Sequence, residues 1–235
     1  MFNPDMFVNR NYTKQAFTFG TEPDSRFTVE LTVLPSASTD FDLTGQVVWP
    51  CATWFSEYLV DHPELVQGKN VLELGAGVGL CGLVAHKLGA KVCILTEGND
   101  EVTTILKQNV EELLLKQAST NEEGRGVLDA AKHLWGQDLD AFEQRFPYKY
   151  DVIMGSDIIS VNFFSFSFFD DGLEGMMLTL DRLLHRTKEA VVFLAYSRVG
   201  ERKLMRLIEA SNFVATTIAQ QGENETYILA LHRKL

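Results

Sequence analysis

Cysteine is scarce in this chain of 235 residues: Cys51, Cys81 and Cys93 are odd in number, sit in apolar contexts and show no CxxC spacing. A disulfide framework and a zinc site are therefore not expected, and a reduced compartment is. The five histidines, His62, His86, His133, His185 and His232, share no ligand spacing, and no Ser-His-Asp order with a strand-turn-helix elbow occurs. Metal and hydrolase chemistry are left without support. No apolar stretch reaches the roughly 18 residues that span a bilayer. The opening Met1-Phe-Asn-Pro-Asp-Met-Phe7 has neither the basic start nor the long apolar run of a secretion signal. The expectation is a cytoplasmic protein, with the nucleus also open to it, and no membrane partner. Basic residues are outnumbered, 21 Lys+Arg against 32 Asp+Glu, for a net charge of −11. Such a surface repels a phosphate backbone, so nucleic acid is not the expected substrate. The acidity serves solubility or steers a basic protein substrate. Internal repeats and low-complexity tracts are also missing.

What is present is an ordinary globular composition, 46% hydrophobic and 23% charged, in a length that fits one domain with an N-terminal addition. Ala16–Phe19 and Phe27–Val33 alternate apolar and polar residues around the turn Thr21-Glu-Pro-Asp-Ser25, which predicts a β-hairpin within an extension over residues 1–44. The polar link Pro35–Asp40 leads to Gly45-Gln-Val-Val-Trp-Pro50, where the main domain, 45–235, begins. A helical spacing of Phe55, Leu59 and Val60 follows. From Asn70 onward, β-type and helical runs alternate: Val71–Leu74, Leu80–Leu88, Val92–Thr96, Glu101–Leu115. That alternation is the pattern of a parallel α/β sheet. Lys116–Gly126 reads as a polar surface insertion, and Ala131–Trp135, Asp151–Met154 and Ala190–Ala195 as further strands. Phe213–Ala219 and Thr226–Leu231 are separated by too few residues for a helical crossover and are expected to pair antiparallel at the sheet edge.

The stretch Val71-Leu-Glu-Leu-Gly-Ala-Gly-Val-Gly-Leu80 passes from a strand through glycines into a helix, where missing side chains let a ligand approach the backbone. A dinucleotide site spaces its glycines G-x-G-x-x-G. The third position is Leu80 and Gly79 comes one residue early, which counts against NAD and FAD. Glu73 precedes the loop, and Glu97 ends the next strand, where a carboxylate can accept from both hydroxyls of a ribose. Together, in strand-loop-helix-strand order, they indicate a nucleoside cofactor.

Glu-Leu-Gly-Ala-Gly-Val-Gly-Leu80, with the upstream Gly45-x-x-x-Trp49-Pro50, resembles the seven-β-strand protein-lysine methyltransferases that modify chaperones and elongation factors. Asn109, Trp135-Gly136, Gly155-Ser-Asp157 and Tyr196-Ser-Arg198 match in the family's order, so the likeness runs from about Gly45 to the C-terminus. The resemblance implies a Rossmann-like, seven-stranded, mostly parallel sheet with helices on both faces. It also implies S-adenosylmethionine as cofactor, and transfer of a methyl group to a lysine of a protein substrate, chaperones and translation factors being the classes in view. It makes Trp49, Gly75, Ala76, Gly77, Glu97, Trp135 and Ser156 the cofactor shell, with Gly155 and Ser156 offering backbone groups, and Glu73, from the loop reading above, is counted with them as cofactor-binding. Chemistry agrees, since a Trp face attracts a sulfonium and covers an adenine. Asp157, at the carboxyl end of a predicted parallel strand, is placed facing the methyl acceptor as the catalytic residue.

One departure stands out. The family pattern is Asp-x-x-Tyr or Asp-x-x-Phe, and this chain reads Asp157-Ile-Ile-Ser160. The phenylalanines of Val161–Phe169 either refill the acceptor pocket, grip a partner or pack in the core. Two alternatives therefore accompany lysine methylation: a methyltransferase acting on a small molecule or another protein nitrogen, and an inactive interaction protein that keeps the fold.

Overall fold

The structure, a computed structural model, describes residues 11–21, 26–36, 41–120, 126–159, 169–197, 201–222 and 226–234. Strands β1 (Thr13–Phe19) and β2 (Phe27–Val33) pair antiparallel as the expected hairpin, beginning at Thr13 rather than Ala16. A 3₁₀ turn (Phe41–Gln46) leads into α1 (Pro50–Asp61), whose proline stands in the first turn, where a missing N–H costs nothing. The chain then alternates through β3 (Asn70–Leu74), α2 (Leu80–Lys87), β4 (Val92–Glu97), α3 (Asp100–Ser119), β5 (Val127–Lys132), α4 (Leu139–Arg145) and β6 (Val152–Ser156). It continues through α5 (Phe169–Leu183), β7 (Val191–Ser197), α6 (Glu201–Ala210), β8 (Phe213–Gln221) and β9 (Thr226–Arg233).

Seven strands form one sheet in the order β5-β4-β3-β6-β7-β9-β8. Strands β5 through β7 in that order are parallel, and β9 runs antiparallel to both β7 and β8. The chain starts in the middle at β3, winds outward to β5, then returns to β6 and winds the other way. The crevice outside the carboxyl ends of β3 and β6 is thus a topological switch point, the place where open α/β sheets bind ligands.

Period-two alternation builds two cores from the same strands. Val71, Cys93, Leu95, Val152 and Met154 face α1, α2 and α3, while Leu72, Leu74, Ile94 and Ile153 face α4, α5 and α6. Val29, Leu31 and Val33 of β2 are fully buried in the first core. The hairpin therefore packs on the sheet's helical layer. Lys116 of α3 pairs with Glu30 at 3.0 Å, and Lys14 pairs with Glu112.

Two further boundaries differ from expectation by more. The third parallel strand is Val127–Lys132, not Ala131–Trp135, because six residues pair in register with β4, from Val92↔Val127 to Glu97↔Lys132. As an edge strand it carries Asp129 and Lys132 toward solvent, so its apolar signal is weak. Helix α3 runs on through Ser119, taking in the first residues of the expected polar insertion, because Gln117 turns inward to hydrogen-bond His86 at 3.2 Å. Arg198, Ser160 and the run 161–168 lie outside the described residues. Among the described residues no helix is long and apolar enough to cross a membrane.

Candidate active site

The loop between β3 and α2 owes its shape to glycines. Gly75, Gly77 and Gly79 have φ of 60°, 53° and 98°, a left-handed backbone that side chains disfavour. Space is short as well, since a Cβ on Gly77 would lie 2.8 Å from the carbonyl oxygen of Gly45. Ala76 anchors the loop by donating its N–H to Thr96 O at 2.8 Å. The segment Thr44–Trp49 therefore rests directly on the glycine loop. Trp49 stands at its end, 39% exposed, with its indole N–H held by Thr44 O at 3.0 Å.

The two carboxylates differ in depth. Glu97, at the carboxyl end of β4, accepts from Gly77 N at 3.0 Å through one oxygen, and from Gly98 N at 2.7 Å and Asn99 N at 3.2 Å through the other. Three of its roughly four acceptor positions are taken by backbone, which fixes the rotamer and leaves acceptor capacity beside the loop. Glu73 lies on the same face of the sheet, further inside. It is 2% exposed and accepts from Gly82 N at 2.8 Å in the first turn of α2, where the helix dipole favours negative charge. Burial nonetheless pushes its carboxyl up to about 8, with the Gly82 hydrogen bond opposing the shift and the Glu97 charge adding to it. A Cβ on Gly82 would lie 2.5 Å from this carboxylate and 2.5 Å from Leu95 Cγ, so that position also demands glycine.

Across the switch point, Trp135 stands over the start of the loop: its Cζ2 is 3.5 Å from where a Cβ on Gly75 would be. The turn it begins is docked on α5. Gly136, at φ 75°, donates to Thr179 Oγ1 at 2.8 Å, and a side chain on Gly175 would strike the Trp135 carbonyl. Ser156 ends β6 with its hydroxyl buried on the α1 side, where the weakly polar thiols of Cys51 and Cys81 are its hydrogen-bonding neighbours. Burial pushes the Cys51 thiol up to about 11 and raises that of Cys81 too, so both are unreactive packing groups.

Asp157 follows with φ 55°, unusual for a non-glycine residue. Its N–H donates to Ala195 O at 2.8 Å, and its carboxylate meets the Ser197 hydroxyl at 3.4 Å. Burial raises its proton affinity, partly offset by the Ser197 hydrogen bonds. Such a backbone outlier, held by the neighbouring strand at a sheet's carboxyl edge, is the kind of strain that collects at functional positions.

A family model described as lysine methyltransferase matches residues 31–211. The chain belongs to the lysine methyltransferase family. Among the relatives of this lysine methyltransferase chain, a protein N-lysine methyltransferase of Mus musculus is 33% identical over 191 residues, covering 80% of this chain and 77% of the relative. A protein N-terminal and lysine N-methyltransferase of Cryptococcus neoformans is 34% identical over 140 residues, 58% of this chain and 44% of the relative. The chain thus spans less than half the length of that fungal relative. A histone-arginine methyltransferase of Xenopus laevis is 32% identical over 152 residues, covering 65% and 57% of the two chains. Among solved structures, a Thermus thermophilus 16S rRNA methyltransferase in complex with AdoMet and guanosine superposes with a TM-score of 0.57 at 19% identity, covering 94% of this chain and 50% of that one. A SAM-dependent methyltransferase from Aquifex aeolicus does so with a TM-score of 0.55 at 14% identity, covering 75% and 89%. Both show the same fold.

The structure gathers Gly75, Ala76, Gly77, Glu97, Trp135 and Asp157 at one edge of this lysine methyltransferase sheet. Trp49 ends the segment whose Gly45 abuts the loop at Gly77, Glu73 accepts from Gly82 in the first turn of α2, and the Ser156 hydroxyl is buried near Cys51. Sequence reasoning missed Gly82 and the contact of Gly45 with the loop. The signals were a glycine inside a helix's first turn and a glycine opening the Trp49 motif.

Proposed function

We propose that this chain is an S-adenosylmethionine-dependent protein N-methyltransferase acting on a lysine side chain. The carrying observation is the convergence of the glycine loop, Glu97, Trp135 and Asp157 on the β3/β6 switch point. The residues there fit the cofactor. Gly75 and Gly77 give the loop a left-handed backbone with no side chains between it and a ligand, and Glu97 offers acceptor capacity to a ribose hydroxyl. Trp135 offers an apolar face for the adenine, Ala76 lines the loop, and the backbone of Ser156 stands at the edge of β6. Trp49 ends the segment that abuts the loop, where its ring attracts positive charge. Glu73 serves the pocket by holding the first turn of α2 in place.

When bound, S-adenosylmethionine supplies a methyl group on a positively charged sulfur, and transfer forms an N–C bond as the S–C bond breaks and its electron pair stays on sulfur. The chain's own residues position the amine and exclude water. Asp157 holds the incoming ammonium and orients its lone pair after deprotonation. The proton the ammonium gives up leaves to solvent before the transfer. The net charge of −11 favours a basic protein surface as substrate, with chaperones and translation factors the classes in view, in the cytoplasm or nucleus. We place the catalytic domain at 45–235, with residues 1–44 as its hairpin extension.

Calorimetric titration with S-adenosylmethionine and S-adenosylhomocysteine tests the pocket, and mass spectrometry of lysate proteins after incubation with the enzyme tests the acceptor. Saturable binding with new lysine methylation is expected. Binding without any methylated protein would favour the interaction-protein reading, and methylation of arginine or an N-terminal amine would redirect the substrate class.

A further inference from the structure

The side chain of Ile158 occupies a notch that exists because a position on β6 and one just past the end of β3 carry no Cβ. A Cβ on Gly75 would lie 2.6 Å from Ile158 Cγ2, and one on Gly155 would collide with Ile158 Cδ1. Gly155 belongs to β6 and Gly75 follows β3, the adjacent parallel strands that flank the switch point. The left-handed turn at Asp157 precedes Ile158 and sends its side chain back onto the sheet edge, where it stays partly exposed. Trp135 Cζ2 lies 3.5 Å from the same Gly75 Cβ position. Glycine loop, indole and Asp157 thus surround one β-branched side chain.

We propose that Ile158 determines the size of the alkyl group that the site accepts on the cofactor's sulfur, an inference that rests on reading the site as an S-adenosylmethionine pocket. The transferred carbon must travel between the sulfur, held on the glycine-loop side, and the amine, held on the Asp157 side. Ile158 is covalently next to Asp157 and seated against Gly75, so it borders that path. A β-branched side chain has few rotamers and presents a fixed wall. A hydrophobic wall of this kind discriminates one extra methylene by about 10- to 200-fold. If Ile158 served packing alone, its truncation would change every ligand's affinity in proportion.

The test is calorimetric binding of S-adenosylmethionine, its S-ethyl homologue and S-adenosylhomocysteine, which carries no transferable group, to wild type, Ile158→Val and Ile158→Ala. Wild type is expected to prefer methyl over ethyl by about tenfold or more. Ile158→Ala is expected to erase most of that preference while S-adenosylhomocysteine affinity moves less than about threefold, and Ile158→Val to fall between. An unchanged methyl-to-ethyl ratio in a variant that still binds S-adenosylhomocysteine overturns the proposal, as does a proportional loss of all three ligands. Should Ile158→Ala not fold, Ile158→Val, which loses a single methylene, carries the same comparison. Wild type that binds none of the three overturns the pocket reading itself, an outcome distinct from failure of the size limit.

Discussion

The amide of Asn109 on α3 grips the backbone of Thr32 from both sides, accepting from its N–H at 2.7 Å and donating to its C=O at 3.2 Å. The same amide nitrogen donates to Val78 O in the glycine loop at 2.9 Å. One fully buried side chain thus ties the N-terminal hairpin to the loop. Asn109→Ala is expected to lower stability by about 1–3 kcal/mol for the buried backbone groups left unpaired. Urea denaturation checks this. Loss of less than half a kcal/mol would show that water replaces the amide.

Glu97→Ala should weaken S-adenosylmethionine binding by roughly 1–3 kcal/mol through lost charged hydrogen bonds. It also unties Gly77, Gly98 and Asn99, whose N–H groups the carboxylate now accepts. Glu97→Gln, which keeps one acceptor oxygen, is expected to lose less. Calorimetry on both variants separates the two effects, and equal affinity across wild type and Glu97→Ala would remove Glu97 from the pocket.

Asp157→Asn should abolish methyl transfer while leaving cofactor affinity nearly unchanged, because its proposed partner is the amine. Asparagine is the suitable replacement because it tolerates φ 55° better than alanine. A single-turnover assay beside a binding measurement reads both. Full activity in this variant would sink the assignment.

Glu73 makes stability depend on pH in a definite direction. Its carboxyl titrates near 8 in the folded chain, against an ordinary value of 4.5, so across this window the folded state holds a proton that the unfolded state has released. Stability from this group therefore falls as pH rises through the window, by up to about 1.4 kcal/mol per pH unit. Glu73→Gln, which keeps an acceptor for Gly82, should flatten that slope in thermal melts between pH 5 and about 8. An identical slope in the variant would mean another group carries it.

The parallel sheet was legible because Val71–Leu74 and Val92–Thr96 are apolar runs buried on both faces, bounded by glycine and helical spacing. The β5 edge strand was misplaced by several residues: its solvent-facing Asp129 and Lys132 dilute the pattern, while the apolar Leu134 and Trp135 just beyond it, in the turn docked on α5, carry the apolar signal past the strand's end. Helix α4 is too short for its periodicity to delimit it, whereas α6 carries Leu204, Leu207 and Ile208 at helical spacing that the strand-by-strand reading passed over. Candidate site residues at strand ends stood out in the sequence through the glycine spacing and the family likeness. Their contacts did not, because sequence does not say that Glu73 accepts from Gly82 and Glu97 from Gly77. Ile158 was invisible for a related reason, since its role comes from two glycines far apart in the chain.

Strand β8 closes one side of the sheet, and its outer edge has no neighbouring strand among the described residues. Val214 and Ile218 are exposed there, 50% and 38%, which on a flat edge would template the addition of a second chain. The register slips between Thr217 and Ala219, leaving Ile218 out of the ladder. A bulge at that point twists the strand and interrupts its row of open N–H and C=O groups. The irregularity that looks like a flaw in the β8–β9 pairing thus blunts the edge as a template, and deleting Ile218 to straighten it is expected to raise the tendency of copies to add strand to strand.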